Sequence, residues 1–425
     1  MTVKTAYARI DALIKARDLD AAGQALVQAA ERHGQDIRYY RRAFRIARLR
    51  KDVPAAAVAA EHLVALGGAS ASVMAELPKL RLKLGDVQGA REVAGDADDL
   101  TRDVLDAVIS AEAGDEVAMR EALLRVELGR GNRIRRGPLA TVLGELPTVM
   151  ASPLPEGRHL SALDGVLPPP EQLRRELIAE DDAADVIISP EGDSDTFVVV
   201  FTGLRDRMQF PLSVFDHFLS AEGIGAVYLR DFDRLLYWKG VRTWGGSEVM
   251  LERIRELADG RRLVIIGGSA GGFGAIHWGI ELGADRVVTF APPTNLENEF
   301  RERINDGRAK LMAKRLHRVI PPECRNLANR IAAAGGSVPI HVVYGTQNVI
   351  DAGHALNLAG LPGVHLHPEP TATHSLLNTL ITSGNFQRIL AELLGLETAG
   401  VGEGGDSGAM ARHLAEQRQA AFENS

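Results

Sequence analysis

Two patterns of apolar and polar positions divide the chain. From residue 1 to about residue 130, apolar side chains recur at helical spacing among Ala, Leu, Arg and Glu, with almost no strand-like alternation, so this stretch is expected to be all-helical. It also repeats. Asp18-Leu19-Asp20-Ala21-Ala22, Asp52-Val53-Pro54-Ala55-Ala56 and Asp86-Val87-Gln88-Gly89-Ala90 recur at 52 − 18 = 34 and 86 − 52 = 34 residues. A fourth copy, Gly114-Asp115-Glu116-Val117-Ala118, arrives early, at 115 − 86 = 29. An acidic turn residue ahead of a small-residue helix predicts paired helices, with Ala22, Ala56 and Ala90 where neighbours approach closely.

Beyond about Asp185 the pattern shortens to apolar runs that read as strands: Val186–Ile188, Thr196–Phe201, Gly225–Leu229, Leu263–Ile266, Arg286–Phe290, Ile340–Tyr344 and Val364–Leu366. Helical stretches such as Leu212–Leu219, Gly246–Leu257, Gly274–Leu282 and Leu376–Leu394 lie between most of them. Strand and helix in alternation, with several strands apolar throughout, make this an α/β domain with a mostly parallel sheet covered on both faces. The division expected is a helical-repeat domain at 1–130, a linker at 131–184, the α/β domain at 185–395 and a flexible tail with a short helix, Ala409 to about Phe422, at 396–425. The linker reading rests on the basic, glycine-punctuated run Gly129–Gly137 and on Pro147, Pro153, Pro155 and Pro168-Pro169-Pro170, which interrupt regular structure. A solvated charge run is the commoner meaning of those arginines.

At 425 residues the chain exceeds one typical core. A net charge of −7 gives no general reason to expect nucleic acid or an anionic membrane as partner. Cys324 is the single cysteine, which excludes an intrachain disulfide and fits a reducing compartment. Met1–Arg17 has no uninterrupted apolar core and no later run reaches membrane-spanning length, so the expectation is a cytoplasmic protein. There is no H-x-x-x-H pair, cysteine cluster or acidic calcium loop, and neither a cofactor nor a metal is expected.

The chemistry concentrates at Leu263-Val264-Ile265-Ile266-Gly267-Gly268-Ser269-Ala270-Gly271-Gly272. A buried strand feeding a helix through Gly-x-Ser-x-Gly describes a nucleophile elbow, a turn that holds the seryl oxygen clear of the sheet at a helix N-terminus. The alternatives fail on the letters. A dinucleotide loop on Gly272 and Gly274 needs glycine where His277 stands, and a phosphate loop from Gly267 to Gly272 needs lysine where Phe273 stands. What remains against the elbow is a plain glycine-rich turn with an idle serine.

From about Asp185 to Leu394 the chain resembles the α/β-hydrolase superfamily, whose nucleophile, acid and histidine follow one another in that order. The resemblance implies Ser269 as nucleophile, Asp351 after the strand Ile340–Tyr344 as acid, and His374 after the strand Val364–Leu366 as base. The commonest pattern places the acid about three residues past the strand's glycine, where this chain has Asn348. Asp351 is preferred because a carboxylate stabilises an imidazolium, whereas an amide only orients the ring; otherwise Asp351 is a helix N-terminal acid. His365, His367, His277 and His341 read as packing or surface residues. The oxyanion hole would use the N–H of Ala270 and that of Gly203 or Leu204. Arg230 and Asp231, ending a strand at the same edge, either contact substrate or pair with each other, while Tyr237, Trp238 and Trp244 line a pocket or pack in the core.

The resemblance implies a serine-dependent acyl hydrolase acting on an ester or thioester, with a small-molecule or saccharide acyl substrate. It extends to α/β-hydrolase-like acyltransferases that modify saccharide hydroxyls. A second possibility is a non-catalytic scaffold. The 34-residue period resembles the tetratricopeptide repeat, although the aromatic and Leu-Gly positions of that consensus are mostly missing; this implies a concave face in residues 1–130 that binds a protein partner, or a purely structural helical cap.

Overall fold

In a computed structural model the described residues are 2–95, 99–129, 138–147, 163, 165–384 and 386–396. The basic run at 130–137 and the tail from 397 onward, with its expected helix, lie outside them. The chain forms two compact units, one of residues 1–147 with 309–314, the other of residues 148–308 with 315–425.

The first unit is helical: α1 (Val3–Lys15), α2 (Leu19–His33), α3 (Ile37–Arg50), α4 (Val53–Ala65), α5 (Ala71–Lys83), α6 (Val87–Glu92), α7 (Asp99–Ala113), α8 (Glu116–Gly129) and α9 (Pro138–Glu145). The helix α9 thus falls in the stretch read as linker. The periodic aspartates are N-caps. Asp18, Asp52, Asp86 and Asp115 accept hydrogen bonds from the N–H of Ala21, Ala55, Gly89 and Ala118, at 3.1, 3.0, 2.9 and 3.0 Å. Each follows a residue in the left-handed region: Arg17 (φ 63°), Lys51 (φ 60°), Gly85 (φ 75°) and Gly114 (φ 80°). One device therefore opens the second helix of every pair. The fourth copy comes early because α6 has only six residues. Ala22, Ala56 and Ala90 are fully buried between helices. Glycine adopts that backbone region without the Cβ penalty, so Lys51→Gly is expected to stabilise this unit by about 1 kcal/mol, measured by urea unfolding in far-UV circular dichroism; an unchanged or lower midpoint would contradict the reading.

The second unit is an α/β fold built on one mostly parallel sheet. Its seven strands are β1 (Val186–Ile188), β2 (Thr196–Phe201), β3 (Gly225–Leu229), β4 (Arg262–Gly268), β5 (Arg286–Phe290), β6 (Ile340–Gly345) and β7 (Val364–Glu369). They lie in the order β1-β3-β2-β4-β5-β6-β7, and only β1, at the edge beside β3, is antiparallel. The register pairs Val199 of β2 with Val227 of β3 and with Ile265 of β4. Every residue of β2 and β3 is buried, which explains why these strands lack polar alternation. The helices are α10 (Leu212–Ala221), α11 (Ser247–Ala258), α12 (Ala270–Leu282), α13 (Asn298–Arg303), α14 (Lys310–Val319, its first half counted with the helical unit), α15 (Leu327–Ala333), α16 (Val349–Leu356), α17 (Leu376–Thr382) and α18 (Phe386–Leu394). On one sheet face Val198, Val200, Val264 and Ile266 pack with Phe215 and Phe218 of α10 and Phe386 and Leu390 of α18. The other face carries α11 and α12. Among the described residues no helix is long and apolar enough to cross a membrane.

Candidate active site

In this strand order the connection leaving β2 runs to β3 on one side and that leaving the adjacent β4 runs to β5 on the other, so the two part in opposite directions. Such a switch opens a crevice at the carboxyl ends of the two central strands. The turn from β4 into α12 and the loop after β2 both stand there.

Ser269 occupies the turn with φ 50° and ψ −124°, a conformation that costs a non-glycine residue about 1–3 kcal/mol. Its N–H donates to Phe290 O of β5 at 2.8 Å, and its carbonyl accepts from Gly272 N–H at 2.8 Å. The glycine two residues on is required by crowding: a Cβ on Gly271 would come within 2.2 Å of Phe201 O and 2.3 Å of Thr202 O. Helix α12 can therefore start hard against the end of β2.

Ser269 Oγ lies 2.8 Å from His374 Nε2, and His374 Nδ1 lies 2.8 Å from Asp351 Oδ2. Three side chains 82 and 23 residues apart along the chain (351 − 269 and 374 − 351) form one hydrogen-bonded series. With Nδ1–H donating to the carboxylate, Nε2 is free to accept the seryl proton. The imidazole is 39% exposed and the carboxylate 1%. Burial would push the Asp351 carboxyl up, but the hydrogen bond and charge of His374, with those of Arg308, outweigh it and hold it below the usual range.

Asn348 and Asp351 take separate parts. Asn348 is the N-cap of α16, accepting from Asp351 N–H at 3.1 Å, while its amide donates to Ala372 O at 3.3 Å in the loop that carries His374. The helix thereby starts early, and the carboxylate is delivered from its first turn. A residue unnoticed in the sequence holds the same loop from the other side: Gln209 donates to His374 O and accepts from Asn378 N–H, both at 3.1 Å.

The two candidates for the second oxyanion donor are distinguished by their N–H groups. Gly203 donates its N–H to Arg207 O at 3.1 Å, which removes it as a donor to substrate. Leu204 N–H has no acceptor among the described residues. The loop lies against the elbow, since a Cβ on Gly203 would sit 3.1 Å from Gly268 O and 3.5 Å from Ser269 Cβ. Ala270, first residue of α12, has no carbonyl one turn back to receive its N–H.

Arg230 and Asp231 are both buried, and among the described residues each bonds to other groups rather than to its neighbour. Arg230 is 0% exposed, and its guanidinium donates to Asp206 O, Asp181 O and Ala184 O at 3.0, 2.6 and 2.9 Å and to Glu180 Oε1 at 2.9 Å. It ties residues 180–184, ahead of β1, to the loop after β2. Asp231 accepts from the N–H of Leu235 and Tyr237 at 2.7 and 3.0 Å, shaping a tight turn. Burial pushes its carboxyl up to about 6. A strand's carboxyl end draws the eye to both residues, but only their neighbours decide their use. Tyr237 is buried, its hydroxyl bridging Thr202 O and Leu229 O at 2.9 and 2.8 Å. Trp238 packs tilted against His277 and Trp278. His341 and His367 contact each other across β6 and β7 at 3.0 Å.

No family model matches the chain, and no curated protein matches it. Solved structures of similar fold exist at low identity. An α/β hydrolase enzyme from a sediment metagenome of the Mar Chica lagoon, Morocco, is 14% identical, with 52% of this chain and 98% of that chain covered and a TM-score of 0.35. A fluorophosphonate-binding serine hydrolase of Staphylococcus aureus is 13% identical over 49% of this chain and 91% of that one, TM-score 0.35. A lipase-esterase related protein of Clostridium acetobutylicum is 10% identical over 51% and 100%, TM-score 0.36. These are likenesses of fold, and the chemistry is argued from the site itself.

Proposed function

We propose that the protein is a serine-dependent acyl hydrolase, acting on an ester or thioester through a covalent acyl-enzyme. The observation that carries this reading is the continuous series Ser269 Oγ, His374, Asp351, with 2.8 Å at each step. Ser269 attacks the acyl carbonyl while His374 Nε2 takes its proton; the N–H groups of Ala270 and Leu204 receive the oxyanion, and the imidazolium returns the proton to the leaving group. Water then repeats the sequence on the acyl-enzyme, with His374 as base again. The imidazole is 39% exposed, and this reading takes water as the acceptor.

The acid assignment has its own test. Asp351→Asn leaves an amide that can hold His374 in the wrong tautomer and cannot stabilise its charge, so kcat/KM for p-nitrophenyl acetate is expected to fall about 10³-fold. Asn348→Ala removes a cap and one loop contact, and a loss under about tenfold is expected. The reverse order of these effects would assign the orienting role to Asn348. The broader test is labelling of the full chain by a fluorophosphonate, with peptide mass spectrometry locating the adduct; an adduct elsewhere than Ser269 overturns the reading.

A further inference from the structure

Helix α17 begins directly after the histidine, and its N-cap residue, Ser375, makes no side-chain hydrogen bond to the first turn. Ser375 N–H is itself turned back to Thr373 Oγ1 at 3.0 Å. The first turn of a helix presents N–H groups that have no carbonyl one turn back to receive them. One of these, Asn378 N–H, is met from 169 residues away along the chain by Gln209 Oε1, at 3.1 Å. The other half of the same amide, Nε2, donates to His374 O, also at 3.1 Å. A carbonyl oxygen only accepts and an NH2 group only donates, so the two partners together fix which way the amide is turned. One side chain thereby holds the backbone on both sides of Ser375.

Gln209 stands at the end of the loop that carries Leu204, and that loop is firmly built. Asp206 N–H donates to Gly203 O at 2.9 Å, closing a turn around Leu204. The Asp206 carboxylate accepts from Arg234 Nη1 and Nη2 at 2.5 and 2.6 Å, with both side chains buried, and Arg230 Nε donates to Asp206 O at 3.0 Å. The fully buried Met208 lies against the elbow: a Cβ on Gly268 would come 3.1 Å from its Sδ. Gln209 itself has φ 68°, a left-handed backbone that a residue with a Cβ adopts at a cost. The loop thus touches the elbow at Gly203 and Met208 and reaches the base through Gln209. On the far side, Asn348 holds Ala372 O. Because the His374 ring is 39% exposed, packing encloses it over part of its surface, and its aim at Ser269 Oγ depends on where the backbone at 374 is held.

Resting on the acyl-hydrolase reading, we infer that Gln209 is a positioning residue. Its amide pins the carbonyl of His374 to the loop that supplies the Leu204 N–H and at the same time completes the first turn of α17, so that base and oxyanion donor keep one spacing.

The test uses the full chain, with kcat and KM for p-nitrophenyl acetate measured separately and urea unfolding followed in parallel, on wild type, Gln209→Met, Gln209→Glu and Ser269→Ala. Gln209→Glu keeps an oxygen for Asn378 N–H but sets a second oxygen, in place of a donor, against His374 O. Gln209→Met offers neither group. Acylation and deacylation both use His374, so in both variants kcat is expected to fall about 10–100-fold, with KM within about twofold of wild type. The unfolding midpoint is expected to drop for Gln209→Met and to stay at the wild-type value for Gln209→Glu, which retains the bond to the helix. A side chain that merely caps α17 would leave Gln209→Glu with wild-type kcat as well as a wild-type midpoint. That result overturns the positioning role, as does a loss confined to KM. Should Gln209→Met not fold, kcat of Gln209→Glu decides alone. Wild-type kcat in both Gln209 variants beside an inactive Ser269→Ala removes Gln209 and leaves the hydrolase reading standing, whereas a fully active Ser269→Ala overturns both.

Discussion

Ser269→Ala is expected to reduce kcat/KM for p-nitrophenyl acetate by about 10⁵-fold. On the proposed mechanism the hydrogen-bonded series from Ser269 through His374 to Asp351 acts as a unit, so loss of the hydroxyl leaves the base and acid nothing to act on. What survives is binding and whatever the N–H groups of Ala270 and Leu204 do for attack by water, which sustains a small rate above background. The fold should be untouched: alanine fits the same volume, Ser269 N–H keeps its bond to Phe290 O, and the seryl oxygen caps no helix. Activity and stability therefore separate. A variant that keeps even a tenth of wild-type turnover at wild-type stability would remove Ser269 from the mechanism, and a scaffold without chemistry would become the better description.

The largest expected loss of stability lies away from the site, at Asp216 of α10. This carboxylate is fully buried and accepts four hydrogen bonds: from Arg175 Nη1 and Nη2 at 2.9 and 2.7 Å, from Ile178 N–H at 2.9 Å and from the Tyr228 hydroxyl at 2.5 Å. It ties the segment around residue 175 to α10 and β3. Asp216→Ala strands the Arg175 guanidinium, itself 2% exposed, without its counter-charge, and a cost of about 3–5 kcal/mol is expected. Arg175→Met with Asp216→Leu removes both charges together, and that double variant is expected to recover most of the loss, because desolvation of the ions disappears along with their attraction. Tryptophan fluorescence during urea unfolding is a clean readout. The three tryptophans, Trp238, Trp244 and Trp278, all lie in the α/β unit, so the signal reports it without interference from the helices before it. An Asp216→Ala midpoint within experimental error of wild type would mean the pair is not a structural tie.

Much of this architecture was legible in the residues, and for physical reasons. Strands of an enclosed parallel sheet are apolar throughout, which made β2, β4 and β5 visible; a backbone turn too tight for side chains demands glycine, which made the elbow visible. The aspartates at a 34-residue interval showed themselves because every helix pair must satisfy the same exposed N–H groups. Less accessible was anything decided by which partner a group finds in space. Gly203 and Leu204 have neighbouring N–H groups, yet only one is consumed by Arg207 O. Arg230 stands at a strand's carboxyl end, where ligands are often held, but four acceptors surround it. Arg308 carries no motif at all. It reaches Asp351 from 43 residues away along the chain, and nothing in Asn305-Asp306-Gly307-Arg308 announces the meeting.

The backbone at Ser269 carries a local cost. Its dihedral angles suit glycine and burden any residue with a side chain, so the hydroxyl is kept against the local preference of the polypeptide. Glycine at this point would relieve that strain and lose the hydroxyl.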